Sequence, residues 1–298
     1  MSYLQRLYAV NNADPADYRP FVVAGRTVGW ITDAFAALLA PWPEVFAVDP
    51  RGVALAPPLT HATPAERSAE VARVTATLRD EGHIAGWRDE HYPVAEGFGA
   101  PPLMTLERAA VVHFGVTGYG VHVNGFVRRR DGLYLWVAQR AKDRFVAPGK
   151  LDQLAAGGQP VDLSLWDNVR KECREEANLP PPLLAGLSAV GTINYFYATL
   201  EGLRPDVIFT FDVELPEEFT PANTDGEVLA FELWPVDRVA TVVAESDAFK
   251  FNSALVVIDF LIRHGALSPE HPDYVAITSG LRVRLPFKAP FDGSVRGS

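Results

Sequence analysis

Between Ser164 and Leu179 one helix-length segment carries an apolar stripe and an acidic one, and a glycine pair, Gly157-Gly158, stands shortly before it. Ser164 is an N-cap residue with Asp167 three positions on, an arrangement that satisfies the first free N–H groups of a helix. Leu165, Val169 and Cys173 recur every four residues beside Trp166, so one face must be buried. Glu172, Glu175 and Glu176 stand at i, i+3 and i+4 and share another face. Carboxylates so spaced repel, each i,i+4 pair costing a few tenths of a kcal/mol. They also sit near the helix C-terminus, where the macrodipole disfavours negative charge. Lys171 and Arg174 offset part of this. On spacing alone a solvated Glu/Arg face and a metal site both remain open. The glycines upstream add to the second reading, because glycine permits close approach of backbone to a ligand. Mg²⁺-type cations bind through a few carboxylates plus substrate phosphates, so a glycine loop feeding a carboxylate-bearing helix meets the needs of a Mg²⁺–diphosphate site.

The rest of the chain supplies a scaffold for such a helix. "FVVAGRTVGWI" (21–31) reads as two strands around a glycine turn, "DAFAALLAPWP" (33–43) as a helix stopped by Pro41, and "VFAVDPRGVALAP" (45–57) as a hairpin. Thr63-Pro64-Ala65-Glu66 reads as a capping box opening a helix to about Glu81. The Pro/Gly-rich stretch 92–103 is the best candidate boundary. This gives an N-terminal α+β domain over 1–104, a second domain over 105–285 and a tail over 286–298. In the second domain, 119–129 and 133–140 read as a hairpin, 192–198, 206–215 and 228–236 as strands, and 236–245 and 253–265 as helices, the last apolar nearly all round. This order suggests an α/β sandwich rather than a doubly wound parallel sheet.

Composition excludes several classes. A formal net charge of −10 argues against a nucleic-acid surface. No apolar run approaches the roughly 18–20 residues of a membrane span, and the N-terminus lacks a secretory pattern. The single cysteine, Cys173, rules out an internal disulfide framework and fits a cytoplasmic location. Cys173 reads as a core residue, and the seven histidines show no metal-ligand spacing.

The glycine–helix segment resembles the Nudix box, G-x5-E-x7-R-E-U-x-E-E-x-G-U with U bulky and apolar. Gly157, Glu172, Glu175, Glu176 and Leu179 match it. Lys171 replaces Arg, Leu163 replaces Glu and Asn178 replaces Gly; Asn178 still tolerates the left-handed conformation that closes a helix. "LDQLAAGGQP", "KECREEANLP", "GLRPDVIFTFDVELPEEFTP", "NTDGEV" and "FKFNSALVVIDFLIRHG" extend the likeness. So do "VGWI", "GWRDEHYPV" and "GVHVNGFV". Together they resemble the Nudix subfamily in which a DUF4743-type domain of unknown role precedes the Nudix fold, and which includes the Nudix part of fungal thiamine pyrophosphokinases. The resemblance implies an α+β protein: a Nudix α/β/α sandwich with a mixed sheet, preceded by a smaller α+β domain. It implies a hydrolase that uses Mg²⁺ or Mn²⁺ to cleave a small-molecule diphosphate. Damaged thiamine diphosphates are one candidate substrate; nucleotides, nucleotide sugars and dinucleotides, or binding without cleavage, are the alternatives. Homodimers are common in the family, so a second copy of the chain is a candidate partner.

On this reading Glu172, Glu175 and Glu176 are metal ligands, and Glu175, Glu176 and Glu227 are catalytic carboxylates. Glu227, in "NTDGEV", matches a downstream loop carboxylate; a plain polar turn is the alternative. Gly157 and Gly158 would fit against the phosphates, with Lys171 beside them. Of the basic run Arg140, Lys142 and Arg144, Arg140 is favoured as a diphosphate contact. His122, alternating with Asn124, is a candidate pocket residue or a half-buried structural histidine.

Overall fold

The computed structural model describes residues 2–284, so the tail expected over 286–298 lies outside the described residues. The chain enters on α1 (Tyr3–Val10), where Ser2 and Gln5 cap each other's backbone N–H groups. It then forms β1 (Tyr18–Val23), β2 (Arg26–Thr32), α2 (Asp33–Leu39), β3 (Phe46–Asp49) and β4 (Gly52–Leu55). Both expected hairpins are present, and β1 lies parallel to β4 in a mixed sheet of order β2-β1-β4-β3. The short α3 (Pro57–Thr60) leads into α4 (Pro64–Asp80), opened by the Thr63/Glu66 capping box. β5 (His91–Val94) pairs with β6 (Met104–Glu107), and α5 (Val111–Phe114) follows. Phe21, Ile31, Phe35, Phe46, Val71, Val74, Leu78 and Phe114 fill the core of this unit, with Trp42 and Trp87 packed against it.

The chain divides into two compact units at 118/119, not at the 104/105 expected from sequence. Segment 92–103 does not separate domains: its ends are the two strands of the β5–β6 hairpin, and the Leu103 N–H donates to the Val94 carbonyl at 2.8 Å. The first unit comprises Asn12–Gly118 and Phe196–Pro205; the second takes α1, Tyr119–Tyr195 and Asp206–Val283.

The second unit contains β7 (Tyr119–Arg129), β8 (Gly132–Arg140), β9 (Leu151–Asp152), β10 (Ala155–Gly158), α6 (Leu165–Ala177) and α7 (Pro181–Leu184). It continues through β11 (Ser188–Ala198) and β12 (Leu203–Glu214), apart from their ends within 196–205, and through β13 (Val228–Pro235), α8 (Val236–Glu245), α9 (Phe251–Arg263) and α10 (Tyr274–Gly280). Its mixed sheet runs β11-β12-β7-β8-β13, with β10 added on β7 and β9 on β8. β12 is parallel to β7, while β8 and β10 are antiparallel to it. Side chains alternate between the faces of a strand. Val121 and Val123 therefore pack with Val169, Cys173 and Ala177 of α6, while Phe126 meets Phe260 of α9 from the opposite face. The result is the helix–sheet–helix sandwich expected. α9 is buried along Asn252–Leu261, in keeping with its all-round apolar sequence. α1 is held in this unit by Arg6, whose Nε donates to the Val243 carbonyl at 3.1 Å.

Each unit holds a neutral buried histidine. His113 stacks on Phe35 with ring centroids 5.0 Å apart, and burial pushes its pKa from 6.5 down to about 4. His122 is driven to about 4 by burial and then by Lys250. A depressed histidine pKa means that the unfolded chain takes up the proton first. Stability from these groups is thus complete above pH 6.5 and is lost as pH falls towards 4, by up to about 3 kcal/mol for each. Urea midpoints are expected to drop markedly between pH 7.5 and pH 4.5, and the drop should shrink in His113→Gln; a flat profile would contradict this.

Candidate active site

The site begins with the local chemistry of α6. The Ser164 hydroxyl accepts from the Asp167 N–H at 3.1 Å and so caps the first turn. Asn178, at φ 52° and ψ 40°, closes the last, where a left-handed residue is required. The buried stripe of Val169, Cys173 and Ala177 fixes the rotation of the helix. That rotation turns Glu172 and Glu176 towards β10 and leaves Glu175 half exposed.

Gly157 matters here for what it lacks. A Cβ on Gly157 would stand 2.2 Å from the carboxyl carbon of Glu172, so only glycine lets that side chain lie against the strand. Next to it the Glu176 carboxylate accepts the Ala156 N–H at 2.9 Å. Gly158 contributes its carbonyl, which accepts from Asn168 Nδ2 at 2.8 Å and ties the strand back to α6. Burial, and then the nearby Glu172 charge, raise the pKa of Glu176 well above the ordinary value; the Ala156 N–H opposes this. Glu172 is raised too, by burial against the pull of Lys171. Burial would lower the pKa of Lys171, but its ion pairs with Glu175 at 2.9 Å and Glu172 at 3.2 Å outweigh this and hold it up.

Glu227 arrives on a loop docked to the C-terminus of α6. The Ala222 N–H reaches the Ala177 carbonyl, and Thr224 gives both its N–H and its hydroxyl to the Glu175 carbonyl, at 3.1 and 2.6 Å. Asn223 Nδ2 donates to the Glu176 carbonyl at 3.4 Å. Asp225 accepts the Glu227 N–H at 2.8 Å, and Gly226, at φ 84°, makes the turn. Glu227 sits close enough to add to the upward pressure on the pKa of both Glu172 and Glu176. Its carboxylate pairs with Arg144 Nη1 at 2.6 Å.

Three observations suit a divalent cation here. The donors are hard carboxylate oxygens, two are desolvated side by side, and the glycine strand leaves them room. The cations now at these carboxylates are Lys171 and Arg144. Among the described residues no three His, Cys, Asp or Glu side chains are already arranged around a common metal position, so binding would require side-chain rotation about a fixed backbone.

Two expected residues are placed differently. The Arg140 guanidinium is turned inward, with Nη1 on Asp152 at 2.9 Å and Nη2 on the Val146 carbonyl at 3.1 Å, and a buried group so committed does not face a diphosphate. His122 is buried, with Nδ1 2.6 Å from Gln153 Oε1. Gln153 donates its Nε2 to the Ser253 carbonyl, so its oxygen faces His122 and the imidazole proton sits on Nδ1. Sequence reasoning missed Asp152. It is buried among Arg140, Lys250 at 3.5 Å and the Ser253 hydroxyl. Burial would raise its pKa, but Lys250, His122 and Arg140 outweigh this and hold it well below the carboxylate range. The buried Cys173 thiol is pushed up by burial and by the Glu176 charge, which removes it as a nucleophile.

Two domain models and several known proteins match this chain. The model of the NUDIX domain matches residues 118–254, and that of a domain of unknown function, DUF4743, matches residues 2–118. The chain is 40% identical over 266 residues to Nudix hydrolase 24, chloroplastic, of Arabidopsis thaliana, covering 89% of this chain and 73% of that protein. It is 40% identical over 275 residues to Nudix hydrolase 20, chloroplastic, of the same plant, covering 90% and 74%. An uncharacterized protein of Saccharomyces cerevisiae is 33% identical over 219 residues, covering 68% and 63%.

Proposed function

The chain belongs to the Nudix hydrolase family, and from that premise we propose that it cleaves the diphosphate linkage of a small organic molecule with Mg²⁺ or Mn²⁺ bound at Glu172, Glu175 and Glu176. The observation that carries this is the desolvated Glu172/Glu176 pair beside the bare Gly157 backbone. Among the described residues Glu172 has Lys171 at 3.2 Å and Glu176 only the Ala156 N–H, so the pair is short of positive charge that a divalent cation would supply. Glu172, Glu175 and Glu176 would hold the cation, which would supply positive charge against the charge that develops on the phosphate oxygens. Glu227 or Glu176 accepts a proton from the attacking water. The water oxygen forms a new bond to phosphorus, the anhydride P–O bond breaks, and two monophosphates, or a monophosphate and phosphate, leave. Gly157 and Gly158 offer a backbone against which the phosphates fit. No helix among the described residues is long and apolar enough to cross a membrane. The lone buried cysteine suits a reducing compartment, the cytoplasm or a plastid such as the relatives' names indicate. A homodimer is part of the same reading and is checked by solution mass.

The likeness to the Nudix part of fungal thiamine pyrophosphokinases orders the substrates. We expect oxothiamine and oxythiamine diphosphates to be cut to monophosphates faster than ADP-ribose, dinucleotides or deoxynucleoside triphosphates. Product release with Mg²⁺, with and without EDTA, is the test. If nothing on this panel is hydrolysed, the enzyme reading fails; if oxythiamine diphosphate turns over no faster than ADP-ribose, only the thiamine assignment fails.

A further inference from the structure

The cluster holds a cation that the reaction as described does not use. Arg144 lies on the loop between β8 and β9. That loop is closed by the Gly149 N–H on the Ala141 carbonyl, and it is joined to the carboxylate loop by the Ala141 N–H on the Glu227 carbonyl at 2.9 Å. The guanidinium is only partly engaged: Nη1 is on Glu227, while Nε is buried with no partner. Arg140, four residues earlier, is locked by Asp152, so the basic run leaves Arg144 as the guanidinium facing the carboxylates.

We propose that Arg144 is an exchangeable counter-ion: it holds Glu227 until a divalent cation arrives at the neighbouring Glu172, Glu175 and Glu176, and then closes on the oxygens of the substrate's diphosphate. This rests on the metal-dependent reading above. The physical case is competition followed by complementarity. A guanidinium held on Glu227 neutralises part of the negative charge that draws a divalent cation to Glu172 and Glu176, so each weakens the other's hold. Once displaced, the planar fork fits two oxygens of a phosphate, which a lysine does not reproduce. Arg144 therefore opposes metal binding and favours diphosphate binding. A residue that merely stapled the loop would favour both or neither.

That difference in sign is measurable without turnover. Wild type, Arg144→Gln and Arg144→Lys would be titrated calorimetrically with Mn²⁺ alone, and then with the manganese complex of imidodiphosphate. We expect Arg144→Gln to bind Mn²⁺ roughly two- to five-fold more tightly, the worth of a lost partly exposed ion pair. The same variant should bind imidodiphosphate roughly ten-fold or more weakly. Arg144→Lys keeps the charge and should stay near wild type for Mn²⁺ while losing part of the imidodiphosphate affinity. It also serves as the probe should the Gln variant fold poorly, a point read from its melting curve. Unchanged or weaker Mn²⁺ binding in Arg144→Gln, or unchanged imidodiphosphate binding in both variants, overturns the proposal. Neither titration needs hydrolysis, so an enzyme that cuts no tested diphosphate would defeat the functional reading and leave this result legible.

Discussion

Replacing Glu176 with glutamine is expected to lower kcat by roughly a hundred- to a thousand-fold and, in the same protein, to raise stability by about 1–2 kcal/mol. The two effects have one cause. Glu176 is 5% exposed and sits beside Glu172, so its ionised form is both desolvated and repelled. Glutamine keeps an oxygen for the Ala156 N–H and removes the charge. Stability given up at a functional site is recovered when the function is removed. A pH signature accompanies it. The folded pKa of Glu176 lies above its unfolded value of 4.5, so the folded state takes up this proton first and the cost of the buried charge fades as pH falls. In wild type that relief offsets part of the loss from His113 and His122. The glutamine variant lacks the offset and should lose stability more steeply in acid. Urea midpoints across pH 4.5–7.5, with turnover assays on the same preparations, check both halves. A variant that is less stable than wild type, or that keeps activity within a few-fold, would sink this account of the site.

The second large effect is structural. Asp152→Ala removes a carboxylate that faces Arg140, Lys250 and the Ser253 hydroxyl in a closed environment. Breaking a buried ion pair from one side leaves the other charge uncompensated, at about 3–5 kcal/mol. For a unit of this size that corresponds to a fall of roughly 10 °C in Tm. Arg140→Met together with Asp152→Leu should cost less than the sum of the single changes, because the pair is removed with both its members. Additive single and double variants, or an Asp152→Ala protein within 1 kcal/mol of wild type, would show that the cluster is not coupled in this way.

Parts of the molecule governed by neighbours in sequence were readable from it. The caps of α4 and α6, the left-handed Asn178 and the inward stripe of α6 depend on residues within one or two turns. The β3–β4 turn does likewise. The depth of each glutamate was not readable. Spacing puts Glu172, Glu175 and Glu176 on a common face, but β10 buries two of them and leaves the third to Lys171. Asp152 was hidden because its partner Ser253 lies 101 residues away. The choice between Arg140 and Arg144 was closed to sequence for the same reason. β9 pairs with the end of β8, bringing Asp152 to Arg140 and leaving the outward place to Arg144. Segment 92–103 misled because proline and glycine mark a long hairpin loop as readily as a linker.

The docking of residues 222–224 onto the last carbonyls of α6 bears on how such a chain can change over generations. Hydrogen bonds to the helix carbonyls, from backbone N–H groups and from the Asn223 and Thr224 side chains, set the distance from the helix to Glu227. Length changes at the exposed residues 216–218 can be absorbed before Phe219 packs on the core and Pro221 is buried. A single residue added between Thr224 and Glu227 has no such slack: it would rotate the carboxylate away from Glu172 and Glu176 while leaving every residue type in place. The part of the molecule that tolerates drift and the part that must keep its count meet at Phe219.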